Sequence, residues 1–159
     1  MELTKMAINS SESIEPEDLH RAICLDAAKN VAANFVSIWR FEADLTKIVC
    51  LYALDLASGD SSAGQELMRS DFPKYFEFIL EETTICAPDA CHHHQTSELC
   101  DAYFKPNGIV SLLDFIVHKN FKPAGIICCE SKNKRRDWSA ANISYLRDLA
   151  TYASFKANV

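Results

Sequence analysis

The sequence predicts an α+β fold, a mainly antiparallel sheet bracketed by an N-terminal and a C-terminal helix. Three observations carry that expectation. Strand-like segments come as hairpin pairs instead of alternating with crossover helices, which favours antiparallel pairing. Amphipathic helical patterns stand near both ends of the chain. The length, 159 residues, suits one domain, and a fold of that size buries about 70% of its unfolded surface.

Residues 1–13 are polar and acidic without clear periodicity, and are expected to be a flexible leader to a single domain spanning 14–159. Glu15-Pro16-Glu17-Asp18 reads as a helix start, since proline suits the first turn and acids suit the positive end of the dipole. Leu19, Ala22, Ile23, Ala27 and Val31 recur at helical spacing, so a helix is expected over 16–33, with Asn34 as its stop. Phe35 to Phe41 is rich in β-branched and aromatic residues and predicts a strand. Its partner returns over Thr46–Leu54, after a turn through Glu42–Leu45. Asp55 to Gly64 reads as a mobile loop.

Phe72-Pro73-Lys74-Tyr75-Phe76 opens a helix reaching about Glu82, with Asp71 as candidate cap. Thr83–Ala87 is a short strand that Pro88 ends. Residues 88–108 are the least regular and hold a short helix over Ser97–Phe104, then a turn at Asn107-Gly108. Ile109–His118 and Ala124–Glu130 form a hairpin through Asn120-Phe121-Lys122-Pro123. Ser139 caps the last helix, whose buried face carries Ile143, Leu146, Leu149, Ala150 and Ala153.

Composition narrows the function classes. The net charge of −6 gives no global support to phosphate-backbone binding, and the basic tract Lys132–Arg136 reads as a solvated loop. No nucleic acid partner is expected. No segment has the ~18 apolar residues of a membrane span, and the N-terminus lacks a signal-peptide pattern. Seven cysteines, an odd number at core-like positions, argue against a secreted disulfide framework and for a cytoplasmic location.

Several pieces in this order resemble a GAF domain: Val36–Phe41, Phe72–Phe76, Tyr103–Leu113, and Gly125–Glu130 followed by Trp138. The version is most similar to GAF domains of bacterial sensor kinases, cyclic-dinucleotide enzymes and phytochromes. The resemblance covers about residues 17–155. It implies a central antiparallel sheet of about six strands, with the terminal helices on one face. On the other face, loops and short helices would cap a ligand cavity.

The specialised chemistries of the family find no match in the residues. Phytochrome-like members attach a bilin through cysteine in a Cys-His-x-x-Tyr-Leu segment; here Leu99 stands where that sulfur should be, in Leu99-Cys100-Asp101-Ala102-Tyr103-Phe104. Covalent bilin is therefore not expected. The Asn-Lys-Phe-Asp-Glu set of cyclic-nucleotide binders cannot be traced, so cyclic nucleotide is not expected either. None of the cysteines has the glycine-flanked context of the free methionine sulfoxide reductases. The cofactor, if one exists, is left unknown.

Candidate site residues follow from side-chain chemistry. Trp39, Phe41, Tyr52, Phe72, Tyr75, Phe76, Tyr103, Leu113 and Phe115 are candidates to line an apolar cavity. Cys91, His92, His94 and Cys100, within Cys-x4-Cys-His-His-His-x5-Cys, are metal-ligand candidates. That spacing matches no standard zinc pattern, and an exposed loop is the preferred reading. Cys128-Cys129 should point to opposite faces of their strand and serve as core. Asp114 is the odd residue in its strand, expected to pair with Arg40 or to offer an oxygen to a ligand, while Glu130 is expected to face solvent.

Taken together, a regulatory sensor module without catalytic activity is expected. It would bind a small molecule, or sense redox or metal state, in the cavity. It would signal through a homodimer of terminal helices, with Leu19, Ile23, Tyr145 and Tyr152 at the interface, to a fused or separate output domain. Two other readings stay open: a ligand-free dimerisation scaffold, and a thiol enzyme similar to the free methionine sulfoxide reductases.

Overall fold

The computed structural model describes residues 1–10 and 14–156. Seven strands form one sheet, antiparallel at every pairing, among the described residues: β1 (Phe35–Phe41), β2 (Lys47–Asp55), β3 (Ser61–Ser62), β4 (Glu66–Met68), β5 (Thr84–Ala87), β6 (Ile109–Lys119) and β7 (Lys122–Lys132). Their spatial order is β3-β2-β1-β7-β6-β5, with β4 also paired to β2. The expected α+β class and central hairpins are therefore present. The loop expected over 55–64 instead donates two residues to the sheet edge, and β4 follows it.

Helices α1 (Glu2–Asn9), α2 (Pro16–Val31) and α5 (Ala140–Lys156) are grouped with one face of the sheet. The opposite face carries α3 (Pro73–Glu82) and an irregular cap. That cap is a 3-10 turn (Ser97–Leu99), a π turn (Cys100–Phe104) and one α turn, α4 (Lys105–Asn107). Each strand therefore feeds two cores by its period-2 alternation. Ile38, Leu113, Ile127 and Cys129 join the core under α2 and α5. Trp39, Leu112, Ile126 and Cys128 join the core under α3 and the cap, so the vicinal cysteines part as expected.

Local chemistry explains the element ends. Pro16 sits in the first turn of α2, and Ala32, in the left-handed region at φ 54°, ends it. Asn34 clamps the neighbouring strand instead, accepting from Lys132 N at 2.7 Å and donating Nδ2 to Lys132 O at 3.2 Å. Ser139 caps α5 by accepting from Asn142 N at 3.1 Å, and Asn142 Oδ1 returns to Ser139 N at 3.0 Å, a capping box closed by asparagine. The hairpin turn shortens to Asn120-Phe121, both at positive φ, which matches the right-handed twist of β6 and β7.

The expected flexible leader is the clearest correction. Residues 2–9 form α1, while residues 11–13 of that stretch lie outside the described residues. Asp26, buried on α2, accepts from Thr4 N at 2.7 Å and Thr4 Oγ1 at 2.6 Å. A carboxylate at the first turn of a helix satisfies amides that have no partner within it. The sequence pattern could not show this, because the partner lies 22 residues away.

Removing Asp26 should strip those bonds without touching the sheet. Asp26→Ala is expected to cost about 1–3 kcal/mol. Hydrogen exchange of residues 2–9 should rise sharply while the strands stay protected. Unchanged exchange in α1 would show that packing alone holds it.

Candidate functional site

The face under α3 and the cap carries the chemistry. Alternation along β6 and β7 places Leu112, Asp114 and Ile116 beside Glu130, Cys128 and Ile126 in register. Two carboxylates thus enter one buried layer, and both Asp114 and Glu130 are fully buried. Glu130 does not face solvent, because it shares the side of the strand that Cys128 takes. Asp114 does not pair with Arg40 either. Strand β7 lies between their strands, and Arg40 is an exposed residue bonded to Glu42 at 3.1 Å.

Hydroxyls and a thiol serve the acids. Tyr75 Oη donates to Asp114 Oδ2 at 2.6 Å, and Tyr103 Oη donates to Glu130 Oε2 at 3.2 Å. Cys128 Sγ donates to Glu130 Oε1 at 3.3 Å. Asp114 Oδ1 is left buried with no hydrogen-bond partner. Asp114 lines a small cavity together with Trp39, Tyr75, Leu99, Tyr103, Leu112 and Cys128, with Ile48 and Leu67 at its side. The free space for the centre of a water-sized sphere is about 10 Å³, enough for one such occupant.

The aromatic candidates divide between the two cores. Trp39, Phe41, Phe72, Tyr75, Phe76 and Tyr103 come together on the cavity face, where Trp39 meets Tyr103 edge-on at 6.0 Å. Tyr52, Leu113 and Phe115 lie on the helical face instead. For Leu113 and Phe115 the cause is parity, since Asp114 between them points the other way. A bulge in β2 opposite Ile38 and Trp39 shifts the register and pairs Tyr52 with Ile38. The indole Nε1 of Trp39 donates to buried Ser37 Oγ at 2.8 Å, which turns the ring edge inward.

The cap is tied down at several points. Cys91 and Cys100 form a disulfide, so the two thiols named as metal-ligand candidates are bonded to each other. The 3-10 and π turns bring their Cα atoms to 4.8 Å across nine positions of sequence. His92 is exposed and bonded to Asp89 at 2.9 Å, whereas His94 meets Phe78 edge-on at 5.4 Å. Among the described residues, no group of three His, Cys, Asp or Glu side chains is arranged to hold a metal. Glu98 Oε2 accepts from Lys74 N at 2.9 Å and Tyr75 N at 3.2 Å. It caps α3 from across the fold, the role expected of Asp71.

The dimer candidates are also redistributed. Leu19 and Ile23 are spent in the core between α2 and the sheet, because the apolar stripe of α2 faces inward. Tyr145 Oη contacts the Met1 ammonium and accepts from Asn30 Nδ2 at 3.0 Å, so α1 covers it. Tyr152, half-buried, has Lys5 Nζ 5.9 Å from its ring centroid. Tyr145 and Tyr152, both half-buried, are the two of the four that keep open surface.

Burial dominates the protonation of the site. It pushes the Asp114 carboxyl up to about 6, against the hydrogen bond of Tyr75. Burial, with the Asp114 charge adding to it, pushes Glu130 up to about 8. Between the ordinary glutamate value of 4.5 and about 8, the folded chain holds a proton that the unfolded chain has released. Stability should therefore fall as pH rises through that window. Glu130→Gln should flatten the fall, leaving the variant more resistant to urea than the parent at about pH 8 but not at about pH 5. Parallel pH profiles for both proteins would contradict this.

Comparison with known proteins reproduces the architecture. No curated protein matches the sequence. The chromophore-binding domain of a Stigmatella aurantiaca phytochrome superposes with a TM-score of 0.72 at 16% identity, covering 96% of this chain and 56% of that one. This chain thus spans little more than half of the phytochrome fragment. The GAF domain of an Acinetobacter phosphoenolpyruvate-protein phosphotransferase gives 0.71 at 19% identity, covering 96% and 86%. A domain assigned to a two-component sensor histidine kinase of Sinorhizobium meliloti 1021 gives 0.66 at 15% identity, covering 90% and 91%. At these identities the likeness is one of fold. The GAF domain family model matches residues 15–156, and the chain belongs to that family.

Proposed function

We propose that this chain is a regulatory, non-catalytic GAF sensor module whose ligand occupies the cavity between β6, β7 and the cap. The carrying observation is Asp114 Oδ1, a buried carboxylate oxygen without a partner on a side chain that lines the cavity. Leaving such a group bare costs about 1–3 kcal/mol, and a donor placed there would recover it. The similar domains of a phytochrome and of a protein assigned as a sensor kinase make signal input a fitting role.

The cysteines support a binding role over thiol chemistry. Four of the five free thiols are buried, and burial raises the pKa of every one, away from the reactive thiolate. A relay has a direct covalent basis. Asp114 alternates with Leu113 and Phe115, whose side chains contact the core beneath α2 and α5. A shift of the acid toward a ligand therefore tilts residues on the helical face. Such a shift alters helix packing only as far as the ligand favours one state over the other. In this reading the outer surface of α1 and α5, including Tyr152, forms a homodimer contact through which a fused or separate output domain is driven. No helix of the described residues is long and apolar enough to cross a membrane.

The small free volume favours one competing reading, a scaffold whose cavity is closed by its own side chains and which only dimerises. Calorimetry against amino acids, amines, nucleotides, organic acids and tetrapyrroles separates the two. A ligand that binds the parent but not Tyr103→Ala or Tyr75→Phe supports the sensor reading. Well-folded protein that binds none of them while dimerising would establish the scaffold. Tyr152→Arg is expected to weaken self-association at least about tenfold in sedimentation, as removal of an aromatic anchor does. An unchanged dimer would place the contact elsewhere.

A further inference from the structure

The cavity beside Asp114 has a donor and acceptor pattern that selects its occupant. Building on the ligand-binding reading above, we propose that it takes a compact protonated amine: free ammonium, or the –NH3⁺ head of a primary amine. Asp114 supplies the counter-charge.

Charge is the first argument. Asp114 lines the space, and Glu130 stands behind Tyr103 and Cys128, while no Lys, Arg or His lines the cavity among the described residues. An anion would meet the Asp114 carboxylate and no cation. The nearest basic side chain in sequence, Lys132, turns outward to Asp55 at 2.7 Å.

Hydrogen-bond polarity is the second. Tyr75 has already directed its proton at Asp114, so only lone pairs of its oxygen remain. Asp114 Oδ1 is an acceptor with nothing to accept. The polar lining therefore offers acceptors to an occupant. Water presents two lone pairs along with its two protons and fits such a lining poorly. An ammonium group is all donors.

Size and surroundings agree. About 10 Å³ of free centre space admits one water-sized species, and ammonium is of that size. The rings of Trp39, Tyr75 and Tyr103 wall the space. A divalent metal is a poor alternative, since calcium and magnesium take six or more oxygen ligands, many from carboxylates, carbonyls or water. An amine carrying a chain would enter only if the roof of Tyr75, Leu99 and Tyr103 moved outward. Cys91–Cys100 and Glu98 hold that roof, so a larger amine would act directly on the cap.

The test uses the whole chain at constant ionic strength. Thermal melting and calorimetry are run with ammonium, methylammonium, butylammonium, tetramethylammonium, potassium and sodium chlorides. Ammonium or a primary alkylammonium should stabilise the protein relative to sodium, while tetramethylammonium, which has no N–H, should not. Asp114→Asn should weaken that binding at least about tenfold, the loss expected for a charge-assisted hydrogen bond. Protons of bound ¹⁵N-ammonium should exchange with water more slowly than those of the free ion, a readout independent of the variant's stability. Preference for free ammonium identifies the ion itself as ligand, and preference for butylammonium identifies the head of a larger amine. Potassium acting as well as ammonium would overturn the assignment in favour of an alkali-cation site. Failure of every amine, with binding of a neutral or anionic ligand from the wider panel, would overturn the amine and leave the sensor reading standing. Failure of both sets would remove both.

Discussion

Two carboxylates buried in one layer, with no buried cation facing them among the described residues, constrain the whole distal half of this domain. Asp114 and Glu130 sit two registers apart on the central hairpin, on the same face. A charged group taken out of water is costly unless it is paired, neutralised or hydrogen-bonded. Three devices answer that cost here. Tyr75 reaches in from α3, Tyr103 from the cap, and the Cys128 thiol from the sheet itself. Burial also keeps the acids partly protonated. Because two of those partners arrive from α3 and the cap, the acids help decide where both elements dock.

The cap is consequently more than a cover. Its disulfide, the Thr96 hydroxyl bonded to Ala90 O at 2.7 Å, and Glu98 at the start of α3 make it one connected piece. The reciprocal arrangement ties α3 to the cap through Glu98, and both to the strands through tyrosines. One bare oxygen, Asp114 Oδ1, is left over in this otherwise satisfied network. Native structures rarely leave such a group unserved, so the exception marks the place where a ligand or its absence would be felt.

The opposite face obeys a different rule. Its core is apolar, drawn from α2, α5 and the alternate residues of the same strands. Here the one buried acid, Asp26, is fully engaged with α1. Since β6 and β7 feed both cores, neither face can shift independently of the other. Close packing transmits such displacements because it leaves no slack for them. The sheet is the physical connection between the acid-lined cavity and the helical surface.

Periodicity and end signals in the sequence were enough for the fold class, the two long terminal helices, the main strands and the Ser139 cap, because these depend on neighbours within a few residues. The same local rule correctly parted Cys128 from Cys129. It also held the information that Glu130 shares a face with Cys128, yet an acid at a strand end reads as solvent-facing until something is known to cover it. Helix α1, the Glu98 cap of α3, the Cys91–Cys100 bond and the bulge that turned Tyr52 away all join residues distant in sequence or depend on register. Aromatic character marked Trp39, Tyr75 and Tyr103 as site candidates, and marked Tyr52 and Phe115 equally, since composition does not distinguish the two faces of a sheet that is buried on both. The sequence by itself determined which elements form and which side chains alternate. Only the tertiary structure decided which face received the cap, and with it which carboxylate oxygen was left without a partner, because burial and hydrogen-bond satisfaction belong to the assembled layers and not to any one segment.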